Sequence, residues 1–150
     1  MTQEDEKLLL IDLAARVPYE VKISLELDED KLIGTLDAVY PSENRVIVDN
    51  LNKAIAAINV RCGGFILNEN DVKPYLRPMS SMTEDECKYC VEHFGIQSTL
   101  LIGAQKGMIM PMEASPMFID WLNAHHFDYR GLIEKGLALE AINGMYDEQL

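Results

Sequence analysis

The sequence predicts one α+β domain, an antiparallel β-meander sheet packed by about three helices in two layers. Three observations lead there. Residues Tyr19 to Leu27 alternate apolar and polar side chains, the period of a strand with one face on a core and the other in water. Two more strand-like runs follow across turns too short for the crossover that a parallel pair needs. Thr2, Ser81 and Ser115 each stand just before a stretch with helical signals. At 150 residues the chain has the size of a single domain with one core.

Thr2 is placed to cap a first helix whose opening turn holds Glu4, Asp5 and Glu6, acids that the helix dipole favours there. Leu10, Leu13, Ala14 and Val17 recur at the spacing of one buried face, and Pro18 stops the helix. In the strand that follows, Tyr19, Val21, Ile23, Leu25 and Leu27 point inward, and Glu20, Lys22, Ser24, Glu26 and Asp28 outward. Asp28, Glu29 and Asp30 turn the chain. Leu32, Leu36, Ala38 and Tyr40 make a second strand, with a bulge expected at Gly34. Pro41 to Asn44 turn it again into Arg45, Val46, Ile47 and Val48.

Between Leu51 and Leu67 a helical and a strand reading compete. Leu51, Ile55 and Ile58 suit a helix, Ile58, Val60 and Cys62 a strand, and the favoured order is a short helix or loop and then a strand near 56–67. Pro74 and Pro78 argue against a long element over Asp71–Pro78. Ser81 and Glu84 have capping-box spacing for a helix to about His93, closed by Gly95. Leu100 to Ile102 and Met108 to Met110 suit two further strands. Ser115 and Pro116 open a third helix through Trp121 to about His125, and Gly131, Gly136 and Gly144 break the rest into turns and a short strand.

The charge balance narrows the partners. The formal net charge is −12, and no run of Lys and Arg is present to displace the counterions of a phosphate backbone, which argues against direct nucleic-acid binding. The acids concentrate in the first fifty residues, twelve against five bases, as a solvated face or as a surface offered to another protein's basic groove. The acidic N-terminus and the short apolar run Leu8–Ile11 supply neither a signal nor a spanning segment, so no membrane partner is expected. Three cysteines, Cys62, Cys87 and Cys90, do not suit a disulfide framework and agree with a reducing cytoplasm.

Few residues suggest chemistry. Cys87, Cys90 and His93 recur at three-residue steps on one helix, yet a rigid helix that fixes three ligands leaves a fourth zinc ligand hard to supply, and the pair lies past the helix start where a redox thiol gains from the dipole. They read as small core residues. His125 and His126 with Asp128 are neighbours near a helix end and diverge, so no metal is expected there. Asp128, Tyr129 and Arg130 put a carboxylate, a phenol and a guanidinium on one short loop, which suits either a polar ligand or a cap and an internal ion pair. Tyr75 and Arg77 beside Ser80 and Ser81 have the composition of an interface, against Tyr75 and Leu76 in the core. No nucleophile elbow and no Gly-rich phosphate loop occurs, and Met108, Met110, Met112 and Met117 read as core. No catalytic set and no cofactor is predicted.

Three segments carry a resemblance: Asp12-Leu13-Ala14-Ala15-Arg16-Val17-Pro18-Tyr19, Val72-Lys73-Pro74-Tyr75-Leu76-Arg77-Pro78-Met79-Ser80-Ser81-Met82-Thr83 and His126-Phe127-Asp128-Tyr129-Arg130-Gly131-Leu132-Ile133. Together they resemble a family of small hypothetical proteins of Bacteroides-group gut bacteria, their prophages and phages. The likeness spans nearly the whole chain, with 50–70 and 95–112 more divergent. It implies a setting, a phage or mobile element in a bacterial cytoplasm or a virion, and no activity. The expected function is therefore an accessory protein that binds another macromolecule, as a phage structural component or an inhibitor of a host system. The alternative is a small enzyme or ligand-binding module using the Asp128-Tyr129-Arg130 loop with Tyr75, Arg77 or His126.

Overall fold

Thr2 opens the first helix, α1 (Gln3–Arg16), with a reciprocal capping box: its hydroxyl accepts from the Asp5 amide at 3.1 Å, and the Asp5 carboxylate accepts from the Thr2 amide at 3.1 Å. The computed structural model describes residues 1–51, 62–97 and 115–147. The buried face of α1 differs from the apolar pattern. It holds Leu9, Leu10, Asp12, Leu13 and Arg16, while Ala14 is exposed and Val17 half-buried. A count of apolar positions passes over a charged pair one turn apart that bonds to itself and to neighbouring elements inside the core.

After α1, Val17–Tyr19 forms a 3-10 turn and Glu20 takes a left-handed conformation (φ 54°), so the first strand, β1 (Lys22–Leu27), starts later than Tyr19. Pro18 holds its own φ near the helical value, and the chain needs these extra residues to straighten. β2 (Asp30–Tyr40) and β3 (Arg45–Asp49) complete the expected meander, with antiparallel pairing throughout. Leu27 pairs with Asp30 across a tight turn at Asp28 and Glu29. The bulge falls at Asp37, between the pairs Leu36–Val48 and Ala38–Ile47, and not at Gly34. At Gly34 the constraint is steric, since a Cβ there would lie 2.5 Å from Val48 Cγ1 and 2.7 Å from the Asp49 carbonyl oxygen. The missing side chain lets strand and neighbouring chain approach closely.

β4 (Cys62–Ile66) lies against β3, and β5 (Lys73–Pro78) against the other side of β1. β1 is thus an interior strand, and Ser24, expected on the wet face, is buried. β5 is a six-residue strand despite its two prolines. It pairs with β1 only at Lys73 and Pro74, and beyond that proline its partners are two short parallel strands, β6 (Phe127–Asp128) and β7 (Leu139–Glu140). The described strands form one open sheet of seven in the order β4-β3-β2-β1-β5-β6, with β7 also on β5.

Two helices follow β5 among the described residues. α2 (Glu84–Phe94) is capped by Thr83 with Glu86, two residues later than the Ser81–Glu84 pair, because Ser81 belongs to a 3-10 turn, Met79–Ser81, and its hydroxyl binds the Pro78 carbonyl. Gly95 closes α2 in the left-handed conformation. Ser115 caps α3 (Pro116–Ala124), with Pro116 in its first turn. α1 and the sheet share the larger core around Leu9, Leu13, Ile23, Leu25, Leu36 and Val46. α2, α3 and β6 share a smaller one of Met79, Met82, Cys90, Phe118, Leu122 and Phe127. Met117, expected in a core, is 69 % exposed, since only Phe118 and Leu122 of its helix's apolar side chains are fully buried. The ambiguous stretch over 52–61, the strands expected at 100–102 and 108–110, and Met108, Met110 and Met112 lie outside the described residues.

Candidate functional site

The loop after β6 is anchored through Asp128. One carboxylate oxygen accepts from the Leu132 amide at 2.8 Å and the other from the Ile133 amide at 2.9 Å, so this buried acid caps the turn that follows it. Tyr129 donates its hydroxyl hydrogen to Asn123 Oδ1 at 3.0 Å and accepts from Arg130 at 3.1 Å. Arg130 reaches across to α1, where its Nε lies 3.2 Å from Asp12 Oδ1.

Sequence reasoning misses Asp12 and Arg16 as site residues. Both are fully buried, one helical turn apart, and joined by two bonds, Arg16 Nε to Asp12 Oδ2 at 2.8 Å and Arg16 Nη2 to Asp12 Oδ1 at 3.1 Å. Arg16 also donates to the Phe127 carbonyl at 2.8 Å, tying α1 to β6. Its guanidinium lies 5.5 Å from the centre of the Tyr129 ring and that of Arg130 5.0 Å. The i, i+4 acid–base spacing is the only signal of this pair in the sequence, and the same spacing is common on exposed helices. One acid thus serves two guanidinium groups in a closed network whose geometry ties the N-terminal helix to the loop.

The other candidates are placed apart from this loop network. Arg77 makes a two-pronged contact with Glu86, Nη1 to Oε2 at 3.0 Å and Nη2 to Oε1 at 2.7 Å, and stacks over Phe127 at 4.1 Å. Burial alone pushes the Glu86 carboxyl up, but the bonds from Arg77 and Thr83 outweigh it and hold the group below its ordinary value. Tyr75 is buried, and its carbonyl accepts the Tyr146 hydroxyl at 2.6 Å. The same hydroxyl accepts from the Lys22 amide at 2.9 Å, and burial raises its pKa. His126 sits in a left-handed conformation (φ 63°), with its ring stacked on Tyr146 at 3.7 Å.

His125 instead stacks on Trp121 at 4.2 Å, with Nδ1 2.9 Å from the Trp121 carbonyl oxygen, so the adjacent histidines and Asp128 diverge as their spacing suggests. On α2, Cys90 is buried and its thiol is pushed up to about 12, first by desolvation; Cys87 is raised for the same reason. A raised pKa keeps a thiol protonated near neutral pH and makes it a poor nucleophile. Among the described residues no group of three or more His, Cys, Asp and Glu side chains is arranged around a cation position.

Arg77 and His126 share one open feature, a cleft of ≈ 780 Å³ between α2, α3 and the C-terminal segment, and Tyr75, Asp128, Tyr129 and Arg130 do not line it. Tyr89, Trp121 and His125 form one wall, Ile142 and Asp147 another. Cleft and loop network are therefore separate. No helix among the described residues is long and apolar enough to cross a membrane. Comparison with protein-family models, curated proteins and solved structures finds no match.

Proposed function

We propose that this chain acts by binding another macromolecule, as an accessory protein of a phage or mobile element in a bacterial cell. One observation carries the reading. The polar side chains with the most chemistry in the loop network, Asp12, Arg16, Asp128, Tyr129 and Arg130, are engaged with one another and with the backbone, while the open cleft sets aromatic and aliphatic side chains beside exposed carboxylates. A catalytic site needs an acid, base or nucleophile that can meet a substrate. The Asp128 carboxylate has both oxygens on amides, which supports the binding reading over the alternative of an enzyme that uses this loop.

A phage structural component and an inhibitor of a host system both belong to this class. The test is affinity purification of the tagged chain from infected or lysogenic cells. A stoichiometric partner is expected, and repeated recovery of the chain alone overturns the proposal.

A further inference from the structure

We propose that the cleft takes a segment of a partner protein carrying Lys or Arg beside apolar residues, an inference that rests on the binding reading above. The wall of the cleft is a run of rings: Tyr89 and Trp121 lie 5.9 Å apart at 19°, Trp121 and His125 4.2 Å apart at 27°. Tyr89 is 42 % exposed and Ile142, on the cleft's other side, 57 % exposed. Partly exposed apolar side chains gathered at one cleft with a polar rim have the composition of a binding groove.

Charge selects the occupant. Asp85, Glu86, Glu140 and Asp147 line the cleft against Arg77, four carboxylates to one guanidinium, a formal −3 with the histidines neutral. Arg77 is already neutralised by Glu86. Asp85, Glu140 and Asp147 are exposed and in no ion pair among the described residues. A field of this sign repels phosphate backbones and anionic lipid surfaces, and attracts ammonium and guanidinium groups. Aromatic faces add cation–π attraction and apolar contact, and carboxylates add charge-assisted hydrogen bonds. The volume lies within the roughly 300–1,000 Å³ of pockets that seat a ligand or an anchor segment.

Trp121 is the only tryptophan of the chain and lies in the wall, so its emission reports occupancy. The experiment selects binders from a displayed random-peptide library and titrates the enriched peptides into the full chain. Enriched peptides are expected to carry Lys or Arg next to apolar residues, to change the Trp121 emission, and to bind more weakly as salt rises. The double substitution Asp85→Asn with Asp147→Asn, both at exposed positions, is expected to weaken them about tenfold with the fold unchanged by circular dichroism. Neutral or acidic consensus peptides, no enrichment, or affinity unchanged by the double variant would overturn the inference. A stoichiometric cellular partner whose binding survives that variant overturns this inference and leaves the binding reading standing. Absence of any partner overturns the binding reading itself.

Discussion

Replacing Asp12 by Ala removes the one acid that serves two guanidinium groups. Three contacts vanish, at 2.8 and 3.1 Å from Arg16 and 3.2 Å from Arg130, and Arg16 stays fully buried with the Phe127 carbonyl as its one remaining hydrogen-bond acceptor among the described residues. Arg16 Nη1 already has no hydrogen-bond partner among the described residues, so the loss adds to an existing deficit. Stranding a buried charge costs about 3–5 kcal/mol, a large part of the roughly 5–15 kcal/mol that holds a domain together. For a chain of this length the melting temperature then falls by about 6–20 °C. Urea unfolding followed by circular dichroism measures the free energy. The paired substitution Asp12→Leu with Arg16→Met, which removes both charges, is expected to cost clearly less than Asp12→Ala alone. A loss below about 1 kcal/mol for Asp12→Ala, or strict additivity of the single changes, refutes the reading of this network as a mutually dependent buried cluster.

Glu86→Gln should cost about 1–3 kcal/mol at neutral pH by breaking the contact with Arg77. Because the folded carboxyl is held below its ordinary value of 4.5, that contribution is present above 4.5 and is lost as pH falls through the folded value; the gap between wild type and variant should therefore close in acid, and a constant gap contradicts the assignment. In a Cys62→Ser background, a thiol reagent at a pH of about 8 should modify Cys90 only after unfolding, while the half-exposed Cys87 reacts slowly; rapid native labelling of Cys90 by mass spectrometry contradicts its burial. Gly34→Ala should cost about 1–3 kcal/mol, since the Asp49 backbone must give way, whereas Gly64→Ala meets the flexible end of Arg45 at 3.0 Å and should cost much less; equal losses in chemical unfolding contradict the close approach.

The meander is legible in the sequence because alternation, short turns and caps all act locally. Val21, Ile23, Leu25, Val46 and Val48 are buried as their period requires, and Thr2, Gly95 and Ser115 cap as their chemistry predicts. What escapes a reading of the residues depends on distant chain. Ser24 reads as a solvent-facing residue until β5 is laid beside β1, and Asp12 reads as surface until Arg130 arrives from 118 positions away. The capping residue of α2 is easily misplaced because Ser81 and Thr83 each have a Glu three positions on, and only the 3-10 turn at Met79–Ser81 separates them. The site candidates do have partners, but in different company from that expected. Asp128, Tyr129 and Arg130 join α1, while Arg77 and His126 face the cleft, whose rings come from two helices and whose Asp147 lies in the last described turn.

On the proposed reading, a partner segment enters the cleft and the loop network holds the fold. Backbone amide shifts of the labelled chain, recorded as an enriched peptide is added, test it most directly. The largest changes are expected at Tyr89, Trp121, Ile142 and Asp147. If they fall instead at Leu132 and Ile133, whose amides Asp128 holds, the loop is the binding site and the cleft is not.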